Sequence, residues 1–441
     1  MSAAVTQDAA ETRRRPPPRS VPPDAVTWLT FYLFALLAVP TRFVIGPLGS
    51  AGAPSMLIGL LSLCVWFLLV VTRRRPARRL RFYPLRWAAG ALVVVCCVSY
   101  AIAMARPMNL DEMSPADVSV LSLLSWTGTL LLATDFVRSR RRIDDLVWRI
   151  AVAGGLLAVL GLAQFVTAMP FTDLIHIPGL TELSGGGLPS RNGLVRPNGT
   201  ATHPIEYGAI LAMILPLALH TALYQTARSA FVRWGCVVAL TAVIGISGSR
   251  SAYLCAVAGV LVCLLAWTPV LRRWVVSVAV IGVTLVALVW PRMTKIIIGL
   301  FNDPADDPSI TSRTDSFDFA WAFTAEHPLF GRGFGTFLPK YRIFDNQYLV
   351  QLVSVGFIGV AALLAVAVVA MLEMRRVARN ADRVTDIRSR DLAASLSGAV
   401  LAGFVSMAFF DTFAFPMTMG TLFLVLGIIG AVARRDRDDA L

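Results

Sequence analysis

Long apolar stretches alternate with short polar segments along almost the whole chain. A helix of about 20 apolar residues is long enough to cross the hydrocarbon core of a bilayer. Twelve stretches of roughly this length predict transmembrane helices, at residues 26–46, 54–71, 86–105, 118–137, 147–168, 204–223, 230–247, 250–268, 273–291, 347–372, 391–413 and 417–433. The pattern therefore predicts an all-α, polytopic integral membrane protein whose single transmembrane helical domain covers residues 26–433.

The polar segments between the predicted spans are short, with two exceptions. Residues 170–203 join spans five and six, and residues 292–346 join spans nine and ten. We expect both loops on the extracytoplasmic side, and loops carry binding and catalytic groups more often than the elements that position them. Residues 1–25 are predicted to form a disordered cytoplasmic tail, and residues 434–441 a second cytoplasmic tail.

Composition supports the membrane assignment. Hydrophobic residues make up 56% of the chain and charged residues 15%, whereas soluble domains are about 45–50% apolar and about 25% charged. This balance excludes disordered, collagen-like and disulfide-scaffold proteins. All six cysteines fall inside predicted spans without metal-ligand spacing, and we interpret them as small apolar residues.

The net charge of +13 is explained by membrane topology. If the N-terminus is cytoplasmic, 29 of the 40 lysines and arginines fall in cytoplasmic segments or in the span ends beside them. Basic residues accumulate on the cytoplasmic side of membrane proteins. We therefore predict that both termini are cytoplasmic and that the protein does not bind nucleic acid.

Three polar stretches on the predicted outer side are candidates for chemistry, and the first runs from Arg196 into span six. Pro204 suits the first turn of a helix, with Thr202 as a candidate cap. The free N–H groups of such a helix N-terminus, with Arg196 nearby, form a candidate anion site.

The second stretch is the turn at residues 247–251, between spans seven and eight. Its arginine, Arg250, lies on the predicted outer side, against the positive-inside bias. It either reaches up to lipid phosphates or holds an anionic ligand, and the sequence leaves both interpretations open.

The third stretch is the loop at residues 292–346. Three aspartates within residues 303–307 could bind calcium, but they lack the twelve-residue calcium-loop pattern, so a solvated surface is favoured. The glycine repeat at residues 331–335 resembles a phosphate loop. No strand-then-helix setting frames it, so we do not expect a dinucleotide site.

Together these motifs resemble the O-antigen ligase and polymerase superfamily, integral-membrane glycosyltransferases that use polyprenyl-diphosphate-linked sugars. The resemblance is carried by Arg-x-x-Gly-Thr-x-x-His-Pro at residues 196–204, Gly-Ser-Arg at 248–250, His-Pro-Leu-Phe-Gly-x-Gly-Phe-Gly-Thr-Phe at 327–337, Asp-Asn-x-Tyr-Leu at 345–349 and Gly-Phe-Ile-Gly at 356–359. The layout of twelve spans with a large loop after span nine fits as well.

The resemblance implies roles for these residues. Arg196 and Arg250 would hold the lipid-linked diphosphate and take part in catalysis, because arginine offers planar, permanently charged donors to phosphate oxygens. Arg313 and Arg332 are candidates for the sugar or the second phosphate. The full set of further substrate-binding candidates is His203, Glu206, Arg313, Arg332, Asn346 and Tyr348.

This chain departs from the family pattern at the residue that serves as the base for the acceptor hydroxyl. Family ligases carry His-Asn where this chain has Asp345-Asn346, and that histidine is regarded as the base. A carboxylate can serve instead when its pKa is matched to the task, so Asp345 is the predicted general base. Alternatively Asp345 caps span ten, and His203 or Glu206 acts as the base.

We therefore predict a glycosyltransferase of the bacterial cytoplasmic (inner) membrane. It would transfer a saccharide from polyprenyl diphosphate to a sugar hydroxyl with inversion, without metal or cofactor, in polymerisation of an O-antigen, exopolysaccharide or capsule. Three alternatives stay open, namely a ligase acting on a lipid core, a transporter or lipid flippase, and a non-catalytic assembly partner. Predicted partners are the lipid-linked glycan and membrane lipids. A flippase or a chain-length regulator could also bind.

Overall fold

A computed structural model describes residues 24–72, 83–191, 194–291, 294, 299, 308–381 and 386–439. Within these residues the chain forms thirteen α-helices. They are α1 (Ala25–Leu37), α2 (Pro54–Val71), α3 (Pro84–Met104), α4 (Leu110–Phe136), α5 (Arg140–Thr167), α6 (Pro204–Tyr224), α7 (Ala230–Ile246), α8 (Arg250–Ala266), α9 (Pro269–Val289), α10 (Pro308–Glu326), α11 (Gln347–Asn380), α12 (Ile387–Ser406) and α13 (Pro416–Asp439).

Each of the twelve predicted spans coincides with a helix over most of its length. By length and composition, seven of the described helices can cross a membrane, namely α2, α3, α4, α5, α6, α11 and α13. Helices α1, α7 and α8 are apolar but shorter. The described chain is thus an α-helical protein with several membrane-spanning helices, while the total of twelve spans stays a prediction.

The first predicted span, residues 26–46, is wrong beyond Leu37, where α1 ends. Pro40 follows, and proline lacks the N–H group that a continuing helix needs. The chain then forms strand β1 (Phe43–Val44), which pairs antiparallel with β2 (Thr181–Glu182). Arg42, which interrupts the apolar pattern, is buried and pairs with Asp173 at 2.7 Å.

The predicted loop at residues 292–346 contains the helix α10, which the polar sequence did not indicate. Its residues Phe319 and Phe323 pack with Phe337 and Phe344 in an aromatic cluster. The three aspartates within 303–307 lie outside the described residues, as do residues 1–23 of the predicted tail. Helix α13 continues to Asp439, so most of the predicted C-terminal tail is helical.

Helices α6 and α13 form the centre of the bundle, because nearly all of their apolar residues are buried. Helices α6, α8 and α12 meet where Gly259 of α8 faces Gly398 of α12 beside Pro216 of α6. A Cβ atom on Gly398 would lie 2.3 Å from the Gly259 carbonyl oxygen. Glycine is therefore needed here for the two backbones to approach each other.

The bundle has two chemically different ends. At one, here called the arginine end, ion pairs join neighbouring helices; they are Arg142–Asp24, Arg388–Asp144, Arg228–Asp145 and Arg437–Glu373. The other, here called the loop end, comprises residues 38–53, 168–191, 194–203, 327–346 and 407–415. The structure thus gathers segments predicted to be cytoplasmic at the arginine end. The orientation of the bundle in the membrane remains a prediction.

A buried polar contact that the sequence did not indicate joins three helices near the arginine end. His220 Nδ1 of α6 lies 2.6 Å from Asp391 Oδ2 of α12. Trp267, just after α8, donates its indole N–H to the other carboxylate oxygen at 2.5 Å. Both carboxylate oxygens are therefore hydrogen-bonded, as a buried polar group requires.

Candidate functional site

A fully buried glutamine holds the segment that carries Arg196. The side-chain oxygen of Gln164 accepts hydrogen bonds from the backbone N–H groups of Asn198 and Gly199, at 3.2 and 2.8 Å. Its amide nitrogen donates to the Gly199 carbonyl oxygen at 3.0 Å. Gly199 has a φ of +58°, which glycine adopts without steric cost. The backbone that positions Arg196 is thus fixed to α5.

Helix α6 begins directly after His203, which is its N-cap. The His203 Nδ1 atom accepts a hydrogen bond from the Ile205 N–H at 3.1 Å. The predicted cap, Thr202, instead bonds through its hydroxyl to the Thr41 hydroxyl at 2.7 Å, so that prediction is wrong. The imidazole therefore satisfies one of the free N–H groups of the helix.

Glu206, a predicted substrate-binding residue, lies fully buried in the first turn of α6. One carboxylate oxygen accepts from the Thr202 N–H at 3.2 Å, and the other accepts from the Met417 N–H at 3.1 Å. Both oxygens are thus occupied by backbone donors. Glu206 ties the start of α6 to the start of α13.

Arg250 is the first residue of α8, and this helix start lies beside the start of α6. A Cβ atom on Gly208 would lie 2.6 Å from the Ala252 Cβ atom, so the two helices touch at their first turns. Arg196 interacts electrostatically with Tyr253, one turn into α8. The two arginines predicted to hold the diphosphate are therefore carried by adjoining segments.

Asp345 precedes α11 at the loop end. The helix is capped by its neighbour Asn346, whose side-chain oxygen accepts from the N–H groups of Tyr348 and Leu349 at 2.9 and 3.4 Å. The alternative in which Asp345 caps the helix is therefore wrong. In the part of the chain that the structure describes, the partly exposed Asp345 carboxylate makes no hydrogen bond or ion pair.

Two contacts fix the start of α11 against α12. The Gln347 N–H donates to the Met407 carbonyl oxygen at 2.7 Å. The Tyr348 hydroxyl, a predicted substrate-binding group, donates to the Phe404 carbonyl oxygen at 2.7 Å. The backbone next to Asp345 is thus held rigidly, although the carboxylate itself is not.

The electrostatics of His203 place Arg196 and Asp345 in the same neighbourhood. Burial lowers the pKa of His203, the Arg196 guanidinium lowers it further, and the Asp345 carboxylate acts in the opposite direction. Both charged groups therefore lie within electrostatic reach of the imidazole. Residues nearly 150 positions apart in the sequence come together at the start of α6.

Asp411, which belongs to none of the sequence motifs, lies in the connection between α12 and α13. Its Oδ1 atom is buried, and it has no hydrogen-bond partner among the described residues. The same connection reaches α11, because the Phe413 N–H donates to the Gln347 side-chain oxygen at 2.9 Å. Asp411 is thus a second carboxylate close to the N-terminus of α11. The available signal was an acidic residue near the end of the predicted span at residues 391–413.

The glycine repeat at residues 331–335 fills a break in α11. Gly356 interrupts the helix with a φ of +74°. The N–H groups of Arg332 and Gly333 donate to the Val353 and Ser354 carbonyl oxygens, both at 2.9 Å. The Phe357 N–H donates to the Pro328 carbonyl oxygen, also at 2.9 Å. The repeat therefore satisfies backbone groups that the break exposes.

The Arg332 side chain, predicted to contact sugar or phosphate, pairs with a carboxylate of the protein. Its Nη2 atom lies 2.7 Å from the Glu112 Oε1 atom, and Glu112 is only 1% exposed. The guanidinium also stacks over the Tyr341 ring, 4.8 Å from the centroid. A cavity of about 240 Å³ lies beside this pair and is also lined by Arg106 and His327.

The remaining site predictions concern Arg313 and metals. Arg313 lies in α10, but its side chain is outside the described part of the chain. Among the described residues, no group of three histidine, cysteine, aspartate or glutamate side chains is placed to hold a metal ion.

Comparison with known families supports the resemblance drawn from the motifs. Residues 235–364 match the family model described as O-antigen ligase. The predicted resemblance to the O-antigen ligase and polymerase superfamily is confirmed over this stretch, which contains Arg250 and Asp345. No curated protein matches the chain.

One similar solved chain comes from a structure entitled "Structural coordination of polymerization and crosslinking by a peptidoglycan synthase complex". The likeness covers 81% of this chain and 98% of that one, at 17% identity and a TM-score of 0.39. A likeness at this score carries no conclusion about fold or function.

Proposed function

We propose that the chain transfers a saccharide from a polyprenyl diphosphate to a sugar hydroxyl in the polymerisation of a bacterial surface polysaccharide. The observation that carries the proposal is the packing of the start of α6 against the start of α8, which Arg250 begins, with Arg196 and Asp345 both within electrostatic reach of His203 at the same helix start. The O-antigen ligase match at residues 235–364 supports the same class of reaction.

Arg196 and Arg250 bind the diphosphate in this proposal. When the glycosidic bond breaks, negative charge grows on the diphosphate oxygen that leaves with the bonding electrons. Fixed cations directed at that charge stabilise the transition state more than the ground state. The fixed backbone around Gly199 favours such a role, because a donor held in place needs no reorganisation during the reaction.

Asp345 acts as the general base. The acceptor hydroxyl oxygen forms a bond to the anomeric carbon, its proton passes to the Asp345 carboxylate, and the diphosphate departs from the opposite face. This displacement inverts the configuration at the anomeric carbon. The absence of a hydrogen-bond partner among the described residues leaves the carboxylate open to an acceptor.

His203 serves as a positioning residue. Its Nδ1 atom is engaged by the Ile205 N–H, and burial together with Arg196 lowers its pKa. A neutral ring can accept that hydrogen bond, whereas a protonated ring cannot. His203 therefore keeps the start of α6 in place between the two charged groups.

The proposed reaction takes place on the extracytoplasmic side, with the loop end outside and the arginine end in the cytoplasm. The distribution of basic residues supports this orientation. Apolar grooves between the helices would admit the polyprenyl chain, and membrane lipids surround the bundle. We propose no metal or cofactor for the reaction.

A second candidate is a ligase that hands a finished glycan to a lipid core, which the match to the O-antigen ligase family favours. A transporter is less well supported. It would use paired ionisable groups near the bilayer midplane, whereas the His220–Asp391 pair lies near helix ends and is held by Trp267.

The test is an assay of the purified full chain with a lipid-linked repeat unit and no added metal. We expect a ladder of products for a polymerase and one transfer product for a ligase given its acceptor. Arg196→Ala and Arg250→Ala should each abolish the products, while the folded protein remains in the membrane fraction.

The matched control is Arg272→Ala, which removes an exposed arginine located elsewhere. It should retain full activity. Normal product length in Arg196→Ala and Arg250→Ala would contradict the diphosphate role. Movement of the lipid-linked saccharide across vesicles without any transfer product would favour the transporter instead.

A further inference from the structure

A cavity of about 550 Å³ lies at the arginine end, away from the site described above. The charged side chains that line it are four arginines and two aspartates; they are Arg140, Arg141, Arg228, Arg388, Asp144 and Asp145. The rest of the wall is the connection between α6 and α7. The lining therefore carries two positive charges in excess.

The aspartates lie deeper than the arginines and hold them in place. Asp144 pairs with Arg140 at 3.2 Å and with Arg388 at 2.8 Å. The Asp144 side chain is 13% exposed, whereas that of Arg388 is 43% exposed. The ion pairs therefore hold the guanidinium groups of Arg140 and Arg388 in the wall of the cavity.

The arginines retain binding capacity beyond these ion pairs. Arg140 Nη2 and Arg388 Nε are buried and have no hydrogen-bond partner among the described residues. Arg141 is exposed and makes no ion pair or hydrogen bond within the described chain. Each guanidinium has five N–H donors in a planar fork that matches phosphate oxygens.

We propose that this cavity binds a negatively charged, phosphate-bearing ligand. Such a ligand neutralises the excess charge of the lining, and the exposed Arg141 guanidinium is free to contact its phosphate. The cavity is large enough for more than a single phosphate group, because small-molecule sites measure about 300–1,000 Å³. The phosphate belongs either to a membrane lipid headgroup or to a soluble molecule.

This site is independent of the proposed glycosyl transfer. Its residues lie at the starts of α5 and α12 and after the end of α6, whereas Arg196, Arg250 and Asp345 lie at the loop end. Binding here can therefore be measured without any assay of transfer. Failure of one proposal leaves the other standing.

The experiment uses the full chain in nanodiscs. In one arm the discs contain only phosphatidylcholine, and inorganic pyrophosphate is titrated by calorimetry. In the other arm, phosphatidylglycerol replaces part of the phosphatidylcholine, and the thermal midpoint is recorded. Saturable pyrophosphate binding indicates a soluble ligand, and stabilisation by phosphatidylglycerol alone indicates a lipid headgroup.

Three variants identify the cavity as the site. Arg141→Gln should weaken binding of the phosphate ligand about tenfold, because one charge-assisted contact is lost. Arg272→Gln removes an exposed arginine that does not line the cavity. It should leave binding of the phosphate ligand unchanged. Asp144→Asn should strengthen binding, because it removes a carboxylate that competes for Arg140 and Arg388.

The proposal is overturned if neither ligand has an effect in wild-type protein. It is overturned equally if Arg272→Gln weakens binding as much as Arg141→Gln does, since binding would then depend on the net charge of the protein and not on the cavity. Because the exposed Arg141 makes no ion pair or hydrogen bond within the described chain, its variant tests the proposal even if Asp144→Asn fails to fold.

Discussion

The glycine repeat and Asp345 belong to one segment between α10 and α11, yet they are held in opposite ways. Arg332 is bound through its backbone to the break in α11 and through its side chain to Glu112. Asp345 lies next to Asn346, which caps α11 and fixes the backbone at this point. The Asp345 carboxylate, however, makes no hydrogen bond or ion pair within the described chain. The difference agrees with the roles that we propose, a structural one for Arg332 and a catalytic one for Asp345, because a general base needs a fixed position and a free functional atom.

The largest expected effect is on catalysis, from Asp345→Asn. Loss of a general base lowers a rate by about 10²–10⁴-fold. The thermal midpoint should hardly change, because the carboxylate makes no hydrogen bond within the described residues. Initial rates of product formation and a melting curve on the same preparation measure the two effects.

The control for this variant is Asn346→Ala, at the adjacent position. It removes a helix cap and should cost about 1 kcal/mol of stability with a much smaller loss of rate. If Asp345→Asn remains active while Asp411→Asn loses the rate, then the base is the carboxylate between α12 and α13, and our assignment is wrong.

A smaller effect, mainly on stability, is expected from Arg332→Ala. It leaves the Glu112 carboxylate buried without its cation, and breaking a buried ion pair in this way costs about 3–5 kcal/mol. We expect a lower thermal midpoint and a parallel loss of activity. Urea or thermal unfolding in detergent gives the change in stability.

The double variant Arg332→Met with Glu112→Gln distinguishes a structural pair from a substrate contact. It removes both charges, and the Tyr341 hydroxyl, which donates to Glu112 in the wild-type protein, can still donate to the glutamine oxygen. Stability and activity should then return together. If stability returned while activity stayed low, Arg332 would have to contact the substrate directly.

The smallest expected effect concerns pH and His203. Its pKa in the folded protein lies below the 6.5 of an unperturbed histidine. As the pH falls through 6.5, the unfolded chain therefore binds the proton first, and the folded state loses stability until the folded pKa is passed. His203→Asn keeps a cap but does not titrate, so it should remove this part of the pH dependence.

Thermal midpoints measured between pH 7.5 and 5 test the change. The matched control is His176→Asn, at an exposed loop histidine, which should leave the pH dependence as in wild type. An unchanged profile in His203→Asn would show that the imidazole does not control the start of α6.

Most of the helices could be predicted from the sequence, because an apolar stretch of about 20 residues is by itself a strong signal for a membrane-spanning helix. Helix α2 covers the same residues as its predicted span. Helix α10 was not predicted, because its polar sequence contains no apolar stretch of the length of a span. In its described part Ala320 is buried, and Phe319 and Phe323 pack beside it. The break at Gly356 was also not predicted, because the residues around it are apolar and resemble an uninterrupted span.

The candidate site was predictable in part. The motif order selected Arg196, Arg250 and Asp345, and the structure brings the segments that carry them together. The pair Arg332–Glu112 joins residues 220 positions apart, and no local pattern encodes such a partner. The same holds for Asp411, whose position depends on how α12 and α13 pack.

The break in α11 also determines when this part of the protein can be completed during synthesis. The carbonyl oxygen of Phe330 accepts from the Ser99 hydroxyl, which is made long before it. The backbone partners of Arg332 and Gly333 lie at residues 353–354, which are made after them. A nascent chain that stops before residue 353 therefore has a glycine segment without its hydrogen-bond partners. The loop end can therefore be completed only after residues 353–357 of α11 have been made.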